Sequence, residues 1–356
     1  MKAKVYFIPV QKEEDQVTIS KKAEKLFIES GLEVKFDKDD FLAIKIHFGE
    51  KGNTGFVKPE WLKEIISRIN LKTRNAFFTD SNTLYQGNRA DAVSHLKIAK
   101  EHGFDIESTG LPVIIADGLV GRDYEEVEIN QKYFRTVKVA RTIFNADSIL
   151  SIAHLTGHLL TGFGGAIKNI GLGCASRTGK LEQHSDIKPR INHLRCNGCQ
   201  ICSNFCPTGT IFFENEKAVI IEEKCIGCGE CLAVCKTGAV RINWDEDSLR
   251  VQEKMAEYAL GILKSKKQSG FINFLLKVTK DCDCMAKEQP AIVGDIGLLA
   301  STDPVAIDLA SVELTNQTAG EDLFRKIYSE IDWKVQLEYG AKIGLGSIKY
   351  ELIEIT

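Results

Sequence analysis

Eight of the 11 cysteines fall between Cys196 and Cys235, in two runs of one form, Cys-x-x-Cys-x-x-Cys-x-x-x-Cys. The first is Cys196-Asn-Gly-Cys199-Gln-Ile-Cys202-Ser-Asn-Phe-Cys206-Pro207; the second is Cys225-Ile-Gly-Cys228-Gly-Glu-Cys231-Leu-Ala-Val-Cys235. Soft thiolates suit iron. Two-residue spacers let three of them grip one cubane from a single loop, and in bacterial dicluster runs the fourth cysteine ligates the other cluster. The spacing predicts two [4Fe–4S] clusters, cluster I on Cys196, Cys199, Cys202 and Cys235, and cluster II on Cys225, Cys228, Cys231 and Cys206. Gly198, Gly227 and Gly229 keep the backbone close, so that amides can point at the sulfurs. Zinc also accepts Cys-x-x-Cys, but eight cysteines in a duplicated spacing favour iron and sulfide. Two adjacent clusters make a path for electrons.

The elements around this stretch alternate. Lys4 to Val10, Phe41 to Phe48, Ala76 to Thr79, Pro112 to Ala116 and Ser148 to Ala153 read as buried strands, with helices expected over Thr18 to Ser30, Pro59 to Asn70 and Arg89 to His102. After the cysteines the same style resumes: a helix over Ser248 to Lys266, strands over Phe271 to Val278 and Asp295 to Ala300, and a helix that Asp303 caps and Pro304 opens. Such alternation predicts an α/β fold, a mostly parallel sheet with helices on both faces. The host domain is then discontinuous, residues 1–188 and 246–356, interrupted by a small α+β dicluster ferredoxin-like module at 189–245.

Ligands of open parallel sheets bind beyond the carboxyl ends of the strands, where this reading puts His47, Asp80, Asp117 and His154. The densest segment outside the clusters is His154-Leu-Thr-Gly-His158-Leu-Leu-Thr-Gly-Phe-Gly-Gly-Ala-Ile-Lys168-Asn169. Its glycine turn before a helix would expose amides to an anion. His154 and His158, four apart, could share a helical face as proton donors or metal ligands, and Lys168 could neutralise a small anionic substrate. Cys174, the run Ser176 to Lys180, and His184 follow. Beyond the insert, Cys282 and Cys284 bracket one aspartate, a pair suited to a third metal, a redox dithiol or a turn cap. The candidate working site is thus His154, His158, Lys168, Cys174, Cys282 and Cys284.

Composition narrows the classes. In 356 residues, 44% hydrophobic and 27% charged, a packed core is expected, and a net charge of -3 without a basic patch excludes a nucleic-acid binder. Apolar stretches fall short of the roughly 20 residues a bilayer requires. The N-terminus lacks the pattern of a signal peptide, so a cytoplasmic location is expected, in which cysteines serve metal or redox chemistry rather than disulfides.

The phrases Thr79-Asp-Ser-Asn-Thr-Leu-Tyr85, His154-Leu-Thr-Gly-His158, Gly164 to Cys174, Asp281-Cys-Asp-Cys284 and Asp295 to Asp308 resemble the domain of unknown function 362 family. The similarity covers nearly the whole chain, insert included, and implies an iron–sulfur protein of bacterial or archaeal, often anaerobic, origin. The leading expectation is an oxidoreductase passing electrons through both clusters to a site on the α/β domain. The alternative is an electron carrier whose α/β domain docks a redox partner protein.

Overall fold

Leu42, Ile44 and Ile46 alternate with Ala43 and Lys45, a period of two that presents an unbroken apolar row to one side of a strand. Rows of this kind build eight strands: β1 (Ala3–Pro9), β2 (Phe41–Ile46), β3 (Asn75–Asp80), β4 (Val113–Ile115), β5 (Ser148–His154), β6 (Gln268–Leu275), β7 (Gly297–Ser301) and β8 (Tyr350–Glu354). The structure is a computed structural model and describes residues 2–85, 87–184, 189–206, 208–225, 230–241 and 248–356.

The eight strands form one sheet in the order β8-β1-β7-β6-β5-β2-β3-β4. From β6 to β4 every pairing is parallel, while β7 runs antiparallel to both β1 and β6. Helices α1 (Gln16–Glu29) and α2 (Lys63–Lys72) cover one face, burying Leu26 and Ile65 with the β2 row Leu42, Ile44 and Ile46. On the other face lie α3 (Ala166–Gly171), α5 (Ser248–Lys264) and α6 (Pro304–Ala319), which bury Ile167, Met255 and Val305 with Ala43, Ile149 and Phe271; α4 (Arg177–His184) packs against α5. Asp303 caps α6 by accepting from the amides of Val305 and Ala306. The helix expected from Arg89 starts instead at Ala92, because Asp91 caps it by accepting from the Ser94 amide. That leaves Arg89 outside the helix.

The topology selects a location for chemistry. The chain steps outward from β2 to β3 and β4, then returns to place β5 on the other side of β2 and β6 beyond it. The order therefore reverses between β2 and β5, and crevices outside the carboxyl ends at such a switch are where ligands bind in α/β sheets.

The cysteine segment is built differently. Arg190–Ile191 pairs with Val240–Arg241, which brings its two ends together, and Ile211–Glu214 pairs with Lys217–Ile220. Short helices cover Ile201–Asn204 and Glu230–Val234. Cys196, Cys202 and Cys231 join Ile211, Ala218, Leu232 and Val240 in a separate apolar cluster, which also takes Leu84 and Leu181 from the α/β part. Gly198 holds φ at +69° with the Glu216 carbonyl where a Cβ would stand, so only glycine fits the turn between the first two cysteines.

Candidate functional site

A cavity of about 490 Å³ opens beyond the carboxyl ends of β2, β3 and β5, within the size range of small-molecule sites, about 300–1,000 Å³. Strand direction sets its walls. Lys45 and His47 stand at the end of β2, Asp80 at the end of β3 and His154 at the end of β5, and all four line it. Lys168 and Asn169 enter from α3, Lys180 and His184 from α4, and Cys282, Asp283 and Cys284 from the loop after β6. Asp117 does not line the cavity. It accepts from the Asn82 amide, the Asn82 side chain and the Arg177 amide, and so holds the loop behind the wall; burial pushes its carboxyl up to about 6.

Buried charges at the β2–β3 end form one network. Lys45 Nζ lies 3.0 Å from Asp80 Oδ1, and Arg89 reaches Asp80 at 3.3 Å, Glu50 at 3.4 Å and the Tyr85 hydroxyl at 2.6 Å. Burial opposes the Asp80 charge, yet the Lys45 ammonium and the neighbouring His95 together outweigh it and hold the carboxyl well below its usual range. Among the described residues Lys180 donates to neutral oxygens, the Ser81 and Asn82 carbonyls and the Ser81 hydroxyl, and burial, against the pull of Asp117 and Asp80, lowers its ammonium to about 8. His47 is held neutral, first by burial and then by Arg89, Lys45 and Lys168; burial and Lys168 do the same to His158.

At the opposite wall Lys168 Nζ lies 3.1 Å from Cys282 Sγ. The Cys284 thiol and the Cys284 amide, at 3.4 Å, both donate to the same sulfur. The thiol hydrogen bond contributes most; with Lys168 it overcomes burial and lowers Cys282 to about 5, while Cys284 is pushed well above an ordinary thiol. The pair is thus a thiolate beside a thiol. His154 donates through Nδ1 to Asp283 at 2.9 Å and through Nε2 to the Leu276 carbonyl at 2.8 Å. Burial works against its charge, and Asp283 outweighs burial and raises it. Both nitrogens are committed, so His154 positions the turn that carries the two cysteines.

Three sequence expectations are corrected. His154 and His158 share no helical face, because Thr156–His158 is a short strand paired with Gly162–Gly164. The amides after the glycine turn do meet an anion, but an internal one: Asp308 accepts from Ala166 N at 2.7 Å and Ile167 N at 2.9 Å. A Cβ on Gly165 would collide with that carboxylate. Cys174 is absent from the cavity; it packs in the core near the Asn169 carbonyl, and burial pushes its thiol up to about 12. Cys174 therefore lies outside the candidate site. Lys45, Glu50, Tyr85 and Arg89 were not singled out by sequence reasoning, and a lysine inside the strand Phe41–Ile46 was the available signal.

Replacing Asp308 by alanine is expected to cost about 2–5 kcal/mol, since two buried amides would lose their acceptor. Urea denaturation of the variant reads this directly, and an unchanged midpoint would contradict the assigned role.

Cys196, Cys199, Cys202 and Cys235 line one small cavity with Ile191, Ile201, Phe213 and Val240. Burial raises Cys202, and Cys235, Cys199 and Cys196 around it raise it further. Ala218 N lies 3.4 Å from Cys196 Sγ, and hydroxyl and amide donors from Thr210 surround Cys206, taking it to about 7 against its burial. Thiols gathered in an apolar shell with N–H groups aimed at the sulfurs fit an iron–sulfur cluster. Among the described residues no three His, Cys, Asp or Glu side chains converge as on a single ion; a cubane of four irons and four sulfides holds its thiolates farther apart than one ion does. Cys228, with Gly227 and Gly229, lies outside the described residues.

The family model described as Domain of unknown function (DUF362) matches residues 42–313. The chain belongs to the DUF362 family. No curated protein matches this DUF362 chain. Among solved structures it is similar to a structural-genomics target protein from Thermotoga maritima, at 12% identity and a TM-score of 0.45 over 87% of this chain and 60% of that one. It is also similar to the lactate racemase apoprotein from Thermoanaerobacterium thermosaccharolyticum, at 13% identity and a TM-score of 0.37 over 78% of this chain and 51% of that one. The DUF362 chain thus spans less than two thirds of either structure's length. Among its described residues no helix is long and apolar enough to cross a membrane.

Proposed function

We propose that this DUF362 protein is an iron–sulfur oxidoreductase whose reacting group is the Cys282–Cys284 pair. In this reading Cys196, Cys199, Cys202 and Cys235 hold one [4Fe–4S] cluster, and Cys225, Cys228, Cys231 and Cys206 the other. Clusters held there would supply electrons one at a time. Opening a Cys282–Cys284 disulfide takes two electrons and one proton and leaves thiolate at Cys282 and thiol at Cys284. Lys168 stabilises that thiolate, and the Cys284 hydrogen bond keeps the proton beside it.

The observation that carries the reading is a shared wall. Leu84 lines the cavity of the thiolate and also packs in the apolar cluster of Cys196, Cys202 and Cys231. Arg177, whose guanidinium donates to the Leu84 carbonyl, feels the charge of Cys235. A dithiol is preferred to a third metal at Cys282 and Cys284, because the Lys168 ammonium beside the thiolate would repel another cation.

The test is a thiol count. Full-length protein with the pair oxidised, given reduced methyl viologen anaerobically, is expected to regain two alkylatable thiols at Cys282 and Cys284. A Cys231→Ser variant should regain them much more slowly. Equal rates in both proteins would leave the carrier reading ahead.

A further inference from the structure

Forming the disulfide removes the charge that Lys168 faces. We propose that the oxidised Cys282–Cys284 pair yields Lys168 to a small organic anion in the same cavity and that reduction expels the anion, so that occupancy and redox state are coupled. This rests on the pair being a redox dithiol.

The electron balance is that of thiol–disulfide exchange. The Cys282 thiolate attacks one sulfur of a partner disulfide, whose other sulfur leaves as thiolate. The Cys284 sulfur then closes on Cys282, and its proton goes to the second departing thiolate. Two electrons pass to the partner, one S–S bond breaks, and one forms. Among the described residues the hydrogen bond of Lys168 is to Cys282, so after oxidation what still attracts it is the Asp283 carboxylate, which is already paired with His154.

The other wall groups cannot replace the lost charge. Asp283 holds His154 through Oδ2 at 2.9 Å, and that imidazolium offsets its charge although Oδ1 has no hydrogen-bond partner among the described residues; Asp80 is shared by Lys45, Arg89 and His95. Lys180 adds a further ammonium that rests on neutral oxygens, and His47 and His158 are neutral. A buried, unpaired ammonium is strongly unfavourable, and the open volume in front of it is where a counter-ion can bind. The rest of the lining sets the body of that anion. Leu84, Leu159, Leu160, Leu172 and Met285 suit a short hydrocarbon behind a carboxylate.

Linkage fixes the sign: an anion that prefers the disulfide form must favour oxidation of the pair to the same extent. The experiment equilibrates the full chain anaerobically in dithiothreitol redox buffers with rising hexanoate, with its neutral amide hexanamide as control. Mass spectrometry of the alkylated peptide reports the Cys282–Cys284 disulfide fraction. Once hexanoate exceeds its dissociation constant, each further tenfold rise is expected to shift the equilibrium about tenfold toward disulfide, about 30 mV for a two-electron couple. Hexanamide should not shift it, and Lys168→Met should abolish the hexanoate effect. The wild-type comparison of acid with amide stands even if that variant does not fold. An equilibrium that ignores hexanoate, or follows hexanamide equally, overturns the anion proposal while the dithiol reading stands. A pair that no buffer oxidises overturns both.

Discussion

Anaerobically isolated protein is expected to carry about eight irons and eight acid-labile sulfides per chain, the load of two cubanes. The expectation rests on eight thiols in two runs and on the shared cavity of Cys196, Cys199, Cys202 and Cys235. That set contains three cysteines of the first run and the last of the second, the crossing that a dicluster segment requires. Cys206 should correspondingly serve the cluster of the second run. Replacing Cys206 by serine is expected to lower iron to about four per chain and to spare the cluster at Cys196. Iron and sulfide analysis, with spectra of the reduced protein, reads both results. Zinc in place of iron, without broad charge-transfer absorbance, would sink the iron–sulfur reading; loss confined to the Cys196 cluster would sink the crossing.

The second large effect concerns Cys282. Its alkylation by iodoacetamide is expected to follow a thiolate titrating at about 5. The sulfur is charged above that pH and protonated below it, so the rate should fall only in acid. Cys284→Ala removes the strongest stabilising contact, and Lys168→Met removes the ammonium at 3.1 Å; each should move the midpoint upward. With both changes burial is no longer overcome, so a midpoint above the ordinary thiol value of about 8.5 is expected, and at about pH 6 the thiolate population falls by roughly two orders of magnitude or more. The midpoint is a better readout than the rate at neutral pH, because a thiolate of higher pKa is also more nucleophilic and partly offsets its scarcity. A wild-type midpoint near that of a free thiol would remove the basis for chemistry at this pair. The same profile unchanged in Lys168→Met would remove Lys168 from the mechanism.

Much of this protein was legible in the sequence because the signals were local. Strand and helix differ in the period of their apolar residues, 2 against 3.6, so β2, β3, β5 and α6 appear in the sequence near their observed positions. Parallel strands end on one edge, and that rule alone gathers His47, Asp80 and His154. The cysteine spacing is local as well, and it determines which ligand chemistry the segment can support.

The partnerships that tune the site are not local. Lys168 meets Cys282 across 114 residues, and Asp308 fills the glycine turn from 142 residues away. No periodicity reports such a contact, since it depends on how α3 and α6 pack on the sheet. Arg89 turns inward because Asp91 starts its helix late, and His158 leaves its expected helix because its strand pairs with Gly162–Gly164. Cys174, so close to the glycine turn in sequence, follows α3 into the apolar core, where burial raises its thiol. The sequence by itself determined the fold class, the cysteine spacing on which the proposed cluster ligands rest and the edge of the sheet where the cavity opens, because periodicity and spacing are properties of neighbouring residues. Only the tertiary structure decided which charge faces which, because the charge state of a buried group is set by whatever the fold packs against it.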